Sequence, residues 1–297
     1  MANTVHPTTI RTITPKMAAK YLNVQATLEA NDPLMRNRNV KEDKVKLYAR
    51  DMAADKWELN GEPLIFASNG RILNGQHRLL ACVESDHAFR THIVENVAHT
   101  AMRTIDTGVL RSMGDQLTIA GKAGGNHLAT ALKVIWRWEQ TGRKGFDWSA
   151  RPTRLEMFDT LEKHPELEKF TRRVHTLNLI LSPGLAGALW YIFSQQDGTL
   201  ADTFFDALAS GANLKEDDPV FMLRERLLRE RREQAIRRTK SWMAMDWVTE
   251  LVYRAWDATR RGVKITKLQR GPRGTDQVVL TRRVTAVKHA KSKEGSK

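Results

Sequence analysis

The stretch "GRILNGQHRLLACVES", residues 70–85, decides how the first part of this chain is read. Gly75 stands between a short apolar run, Ile72 and Leu73, and a segment in which Leu79, Leu80 and Val83 recur at helical spacing. A glycine turn that feeds a helix leaves the first backbone N–H groups of that helix unpaired. Those donors, with the partial positive charge at the helix N-terminus, attract anions. Gly75 lets a ligand approach the backbone closely, while Gln76, His77 and Arg78 follow it, the last with a guanidinium fork suited to phosphate. Two basic side chains in a first turn otherwise oppose the helix dipole. The alternative reading is that Asn74 caps the helix while His77 and Arg78 lie on its solvated face.

Outward from this stretch, "EPLIFASNGRILNG" contains two short apolar runs, Leu64–Phe66 and Ile72–Leu73, joined by an Asn-Gly pair that favours a tight turn. A β-hairpin is expected there. The segment "THIVENV", with Ile93, Val94 and Val97, reads as the next strand, so the local order is hairpin, glycine turn, helix, strand. Upstream, residues 17–60 carry Val45, Leu47, Tyr48 and Met52 at helical spacing, which predicts a helix ending near Asp55.

With this order in place, "NGEPLIFASNGRILNGQHRLLACVES" resembles the nucleotide-binding core of the ParB N-terminal and sulfiredoxin-like fold family. In that family a motif of the form Gly-x-His-Arg or Gly-Glu-Arg-Arg opens a helix that holds nucleotide phosphates; here it reads Gly75-Gln76-His77-Arg78. "RNRNV" is similar to the family's Asn-Pro-Arg segment, with Asn37 and Arg38 as the matching residues and the proline absent. "RTIDTGVLRSMGDQL" occupies the place of a segment that meets the triphosphate, which makes Asp106, Thr107 and Arg111 candidates by position. "DTG" is equally an ordinary turn, and Ser112 or Asp115 equally a helix cap. The resemblance implies a nucleoside triphosphate, CTP or ATP, bound with Mg²⁺. Gln76 stands where sulfiredoxins keep their catalytic cysteine and ParB proteins their metal-binding glutamate. Sulfiredoxin chemistry is therefore not expected, and an amide is a poorer Mg²⁺ ligand than a carboxylate, so binding is favoured over hydrolysis.

Composition bounds the remaining classes. The chain has 297 residues, of which 41% are hydrophobic, enough for a substantial core. It has no run of eighteen apolar residues, and "MANTVHPTTIRTITPK" lacks an apolar leader, so a cytoplasmic protein without a membrane partner is expected. One cysteine, Cys82, excludes a disulfide framework and a cysteine zinc site, and nine dispersed histidines predict no metal site. A net charge of +14 favours a polyanionic partner, with a solvated surface as the plainer explanation.

Beyond Gly121 strand alternation gives way to helical periodicity, with candidate helices at about 127–140, 152–162, 166–177, 184–196, 200–210, 218–239 and 240–260. Trp136, Trp138, Trp190, Trp242, Trp247 and Trp256 fall in these segments and read as core. "FMLRERLLRERREQAIRRTK" carries an excess of arginine over glutamate, and ten basic residues from Lys264 onward face only Asp276 and Glu294. Arg231, Arg232, Arg237, Arg238, Arg282 and Arg283 are the candidates for contact with DNA or another nucleic acid. "DQVVLTRRVTAV" alternates enough for an edge strand.

The expected architecture is thus α+β: an N-terminal extension (1–34), a ParB/sulfiredoxin-like nucleotide-binding domain (35–122), an all-α domain (123–262) and a basic tail (263–297). The expected function is nucleotide binding in association with DNA, as a binding or switch module, with homodimerisation implied by the ParB resemblance. Two alternatives stand beside it: an enzyme using the same pocket, either an ATP-dependent phosphotransferase or a nuclease, and a protein–protein adaptor.

Overall fold

The computed structural model describes residues 8–105, 111–142, 145–177, 180–236 and 244–268. The chain is mixed α+β, and its packing divides it into two units, one formed by residues up to 111 together with 152–156, the other by 112–151 and the residues from 157 onward. No helix among the described residues is long and apolar enough to cross a membrane.

The first unit is built on a four-stranded mixed sheet. Its strands are β1 (Thr8–Ile13), β2 (Leu64–Ala67), β3 (Ile72–Asn74) and β4 (Phe89–Val97), in the spatial order β1-β4-β2-β3. β4 runs antiparallel to β1, with Ile13 opposite Phe89, and parallel to β2, with Leu64 opposite Ile93. β2 and β3 form the antiparallel hairpin expected around Asn69-Gly70, closed by a hydrogen bond from the Ala67 N–H to the Arg71 carbonyl. The segment read as an N-terminal extension supplies β1 and the helix α1 (Pro15–Asn31), whose first turn is capped by Thr14.

The helix expected to end near Asp55 forms around Val45–Met52, and it is separate from α1. α1 stops at Asn31, a 3-10 turn spans Pro33–Met35, and α2 begins only at Glu42 and runs to Ala53. Asp32-Pro33 is the cause: the proline disfavours helical geometry in the residue before it, and the Asp32 carboxylate accepts from the Leu34 N–H at 2.9 Å, closing a competing local turn.

α3 (Gln76–Ser85) follows the glycine turn. On one face of the sheet Ile13, Leu64, Phe66, Phe89 and Ile93 pack with Leu79 and Cys82 of α3 and with Val45, Ala49 and Met52 of α2. On the other face Ala67, Leu73 and Val97 pack with Ala101, Met102 and Ile105 from the turn region after β4. Burial on both faces explains why β2, "LIFA", and the start of β3, "IL", are continuous apolar runs rather than alternating ones.

The second unit is helical among the described residues. Its helices are α4 (Met113–Ile119), α5 (Gly125–Gln140), α6 (Arg154–Lys163, which starts in the first unit), α7 (Leu167–Arg173), α8 (Pro183–Ser194), α9 (Gly198–Ser210), α10 (Pro219–Ile236) and α11 (Met245–Arg260). α8, "PGLAGALWYIFS", is buried from Gly184 to Phe193. A helix apolar all round has to sit at the centre of its bundle, and α8 packs on α5, α7 and α9. Its glycines permit the approach: a side chain at Gly184 would meet Thr130 of α5, and one at Gly187 would meet Thr171 of α7. Aromatic packing closes the core, with Phe193 stacked on Trp256 at 4.5 Å between centroids and Trp190 on Phe205 at 4.9 Å.

Candidate functional site

Gly75 adopts φ +102°, a left-handed conformation that glycine tolerates and other residues rarely do. A Cβ there would stand 2.2 Å from Leu64 Cδ2, so both the dihedral and the space demand glycine. No side chain caps the start of α3. The Asn74 capping alternative is thereby not what forms, and the Gly75 carbonyl accepts from the N–H groups of Arg78 and Leu79 at 2.9 and 3.1 Å.

The two basic residues that follow turn inward. His77 is 4% exposed and its Nε2 accepts from the Lys41 N–H at 3.0 Å. Burial, reinforced by the positive charges of Lys44, Arg38 and Lys41, holds its pKa below the usual histidine value. The ring is accordingly neutral with the proton on Nδ1. Arg78 is 8% exposed; its Nη1 donates to the Glu62 carbonyl and its Nη2 to the Pro63 carbonyl at 2.7 Å. This fork ties the start of β2 to α3, and Thr91 Oγ1 donates to the same Glu62 carbonyl at 3.3 Å. His77 and Arg78 therefore make the framework of the turn.

Beside the turn lies a cleft of about 180 Å³, lined by Asn37, Arg38, Ile72, Leu73, Asn74, Gly75, Gln76, Met102 and Ile105. Of the residues singled out in sequence, the structure brings Arg38, Gly75 and Gln76 together here. Arg111 is not in the wall; it is exposed, and its carbonyl accepts from Arg154 Nη2 at 2.8 Å. Asp106 and Thr107 lie outside the described residues.

The segment 33–38 reaches the cleft through a clasp of amides. Gln25 of α1, 3% exposed, donates from Nε2 to the Met35 carbonyl at 2.9 Å and to Glu29 Oε1 at 2.7 Å, and its Oε1 accepts from the Ile72 N–H at 2.9 Å. Glu29 Oε1 also accepts from the Asn37 N–H at 3.2 Å, and Asn37 Nδ2 donates to the Ile72 carbonyl at 3.0 Å. β3 is an edge strand, and two side-chain amides occupy the backbone groups of Ile72 that face away from β2. The Asn37 Oδ1 is left buried with no partner among the described residues. Sequence reasoning did not single out Gln25 or Glu29, which carry no motif, and noted Asn37 only as part of a segment match. A lone glutamine on the buried side of α1 is the one signal that was there to read.

A second charged surface lies on α10. Leu223 and Leu227 are buried in the helical core, which turns Arg226, Arg229 and Arg232 toward a groove of about 650 Å³ shared with Met222, Glu225, Glu233, Ile236, Lys267 and Leu268. Arg226 pairs with Glu230 at 2.6 Å and covers the Trp247 ring at 5.6 Å. Arg231 is half-buried and Arg232 exposed, with its Nε against the Leu228 carbonyl at 3.4 Å. Arg237, Arg238, Arg282 and Arg283, and the alternating stretch near the C-terminus, lie outside the described residues.

Among the described residues no group of three or more His, Cys, Asp or Glu side chains is placed to hold a metal ion. Comparison with known proteins finds no family model, no curated protein and no solved structure that matches this chain.

Proposed function

We propose that the cleft at Gly75 and Gln76 binds the phosphates of a nucleoside triphosphate, CTP or ATP, in a ParB-like domain, and that the basic surface of the helical unit engages DNA, making the protein a binding or switch module. One observation carries this reading: the cleft beside the glycine turn has Arg38 in its wall, and Arg38 joins Lys44 and Lys41 in the positive charge that bears on the neighbouring His77. A positive field over a helix start without a side-chain cap favours an anion.

The roles divide between wall and framework. Arg38 supplies charge, Gly75 keeps the backbone approachable and Gln76 offers an amide. His77 and Arg78 hold the segments that form the cleft. A cleft of about 180 Å³ has room for a phosphate group. Among the described residues the wall carries no carboxylate, and Mg²⁺ would come bound to the phosphates.

The test is a calorimetric titration of the full chain with ATP, CTP, GTP and UTP, with and without Mg²⁺ and duplex DNA, repeated on Arg38→Ala. We expect one nucleotide to bind and its affinity to fall at least tenfold in the variant. Arg38→Ala is the appropriate probe because Arg78→Ala would leave the Glu62 and Pro63 carbonyls without donors and damage the fold itself. An absence of binding by all four overturns the reading.

A further inference from the structure

The groove on α10 holds more than a ridge of positive charge requires. Met222, Glu225, Arg226, Arg229, Glu233 and Ile236 recur at helical spacing along one face, a stripe about 21 Å long at 1.5 Å per residue. Lys267 and Leu268 share the groove, so the stripe lies in a concavity and not on a projecting edge. A helix that reads a duplex has to project into the major groove, whereas a recessed one can only take a strand in. At about 650 Å³ the groove is in the size range of ligand sites.

Its chemistry is mixed. The cations Arg226, Arg229, Arg232 and Lys267 outnumber the carboxylates Glu225 and Glu233. Apolar side chains stand among them: Ile236 is 80% exposed, Met222 is half-buried, and both are in the wall with Leu268. Arg226 is held in place by Glu230 at 2.6 Å and lies over the Trp247 ring at 5.6 Å, so a base that stacks on its guanidinium meets a group already ordered. A duplex turns its phosphates outward and keeps its base faces stacked inside, so it has little to lay on Ile236 and only repulsion for the two carboxylates. An unpaired strand offers base faces to the apolar side chains and base amines to the carboxylate oxygens, while its phosphates still meet the cations.

Resting on the nucleic-acid reading of the helical unit above, we infer that the α10 groove takes an unpaired nucleic-acid strand, with phosphates along Arg229, Arg232 and Lys267 and bases against Met222, Arg226 and Ile236. The groove then selects single strands over duplex.

The experiment follows the fluorescence anisotropy of three labelled probes with the full chain at one salt concentration. They are a mixed-sequence DNA strand of about twelve nucleotides, within the usual site size, the same strand annealed to its complement, and an abasic strand of equal length. Binding by charge alone favours the duplex, which has the higher charge density. The unpaired strand should instead bind about fivefold or more tightly than the other two. Ile236→Ser, at a position too exposed to put the fold at stake, should remove at least half of that advantage and leave duplex affinity unchanged. A duplex or an abasic strand that binds as tightly as the unpaired strand overturns the inference and leaves DNA binding intact. An advantage unaltered in Ile236→Ser also overturns it, by placing the strand elsewhere on the chain. Displacement of the strand by polyglutamate at matched charge overturns it in favour of an acidic peptide. Failure of all three probes to bind overturns both readings.

Discussion

Single atoms at the glycine turn carry the firmest expectations. Gly75→Ala would place a methyl group 2.2 Å from Leu64 Cδ2 in a backbone conformation at φ +102°. Strain in that region alone costs about 1–3 kcal/mol, so the urea midpoint should fall by at least that equivalent, and an unchanged midpoint would show that the turn is not built as described. His77 gives a pH dependence with a definite sign. Its folded pKa lies below the unfolded value of about 6.5, so the unfolded chain takes up the proton first as pH falls. The contribution is full above pH ~6.5 and is lost as pH drops from there through the folded pKa. Unfolding free energy measured from pH 7.5 to 5 should therefore decline, and His77→Gln, which keeps an acceptor for the Lys41 N–H, should flatten that decline. A slope identical in the variant would remove His77 as its source.

Among the elements, α8 shows how two opposing effects are decided by magnitude. Glycine is worse than alanine by about 1 kcal/mol in a helix interior and by less in a first turn, so Gly184→Ala, at the second residue of α8, should stabilise the helix slightly on propensity alone. The new Cβ would lie 2.4 Å from Thr130 Cβ and 2.6 Å from the His127 carbonyl oxygen of α5. Overpacking of this kind costs about 1–3 kcal/mol, so the net expectation is destabilisation, read as a lower melting temperature; a raised one would mean that α5 and α8 separate easily. The helices of the second unit were largely legible: 3.6-residue periodicity and the breakers Pro165, Pro183, Gly198 and Pro219 mark their limits, and the observed α5, α8 and α9 begin within two residues of expectation. The helix ending near Asp55 was legible from the spacing of Val45, Leu47, Tyr48 and Met52, whereas α1 and the break at Asp32-Pro33 carry no such periodic signal in the residues that were read.

At the level of the whole molecule, the charge of +14 is a statement about partners rather than fold. If the α10 groove lies against DNA, binding must weaken steeply with salt. Converting Arg229 and Arg232 together to alanine should reduce the slope of log affinity against log salt by roughly 1.8, two phosphate contacts at about 0.9 each. A slope unchanged by the double substitution would place the contact elsewhere on the chain.

The sequence by itself determined the local order of the first unit, hairpin, glycine turn, helix and strand, and the helical character of the second, because those follow from turn chemistry and periodicity within a few residues. Only the tertiary structure decided what the motif residues do. Nothing between Gly75 and Ser85 tells His77 to face the Lys41 N–H or Arg78 to face the Glu62 and Pro63 carbonyls. Each such hydrogen bond gains only about 1 kcal/mol net over the bond to water it replaces, so the choice of partner falls to whatever backbone the fold buries beside the side chain. The same holds for Asn37, whose place in the cleft depends on Gln25 and Glu29, residues whose meaning arises from the chain folding back on β3.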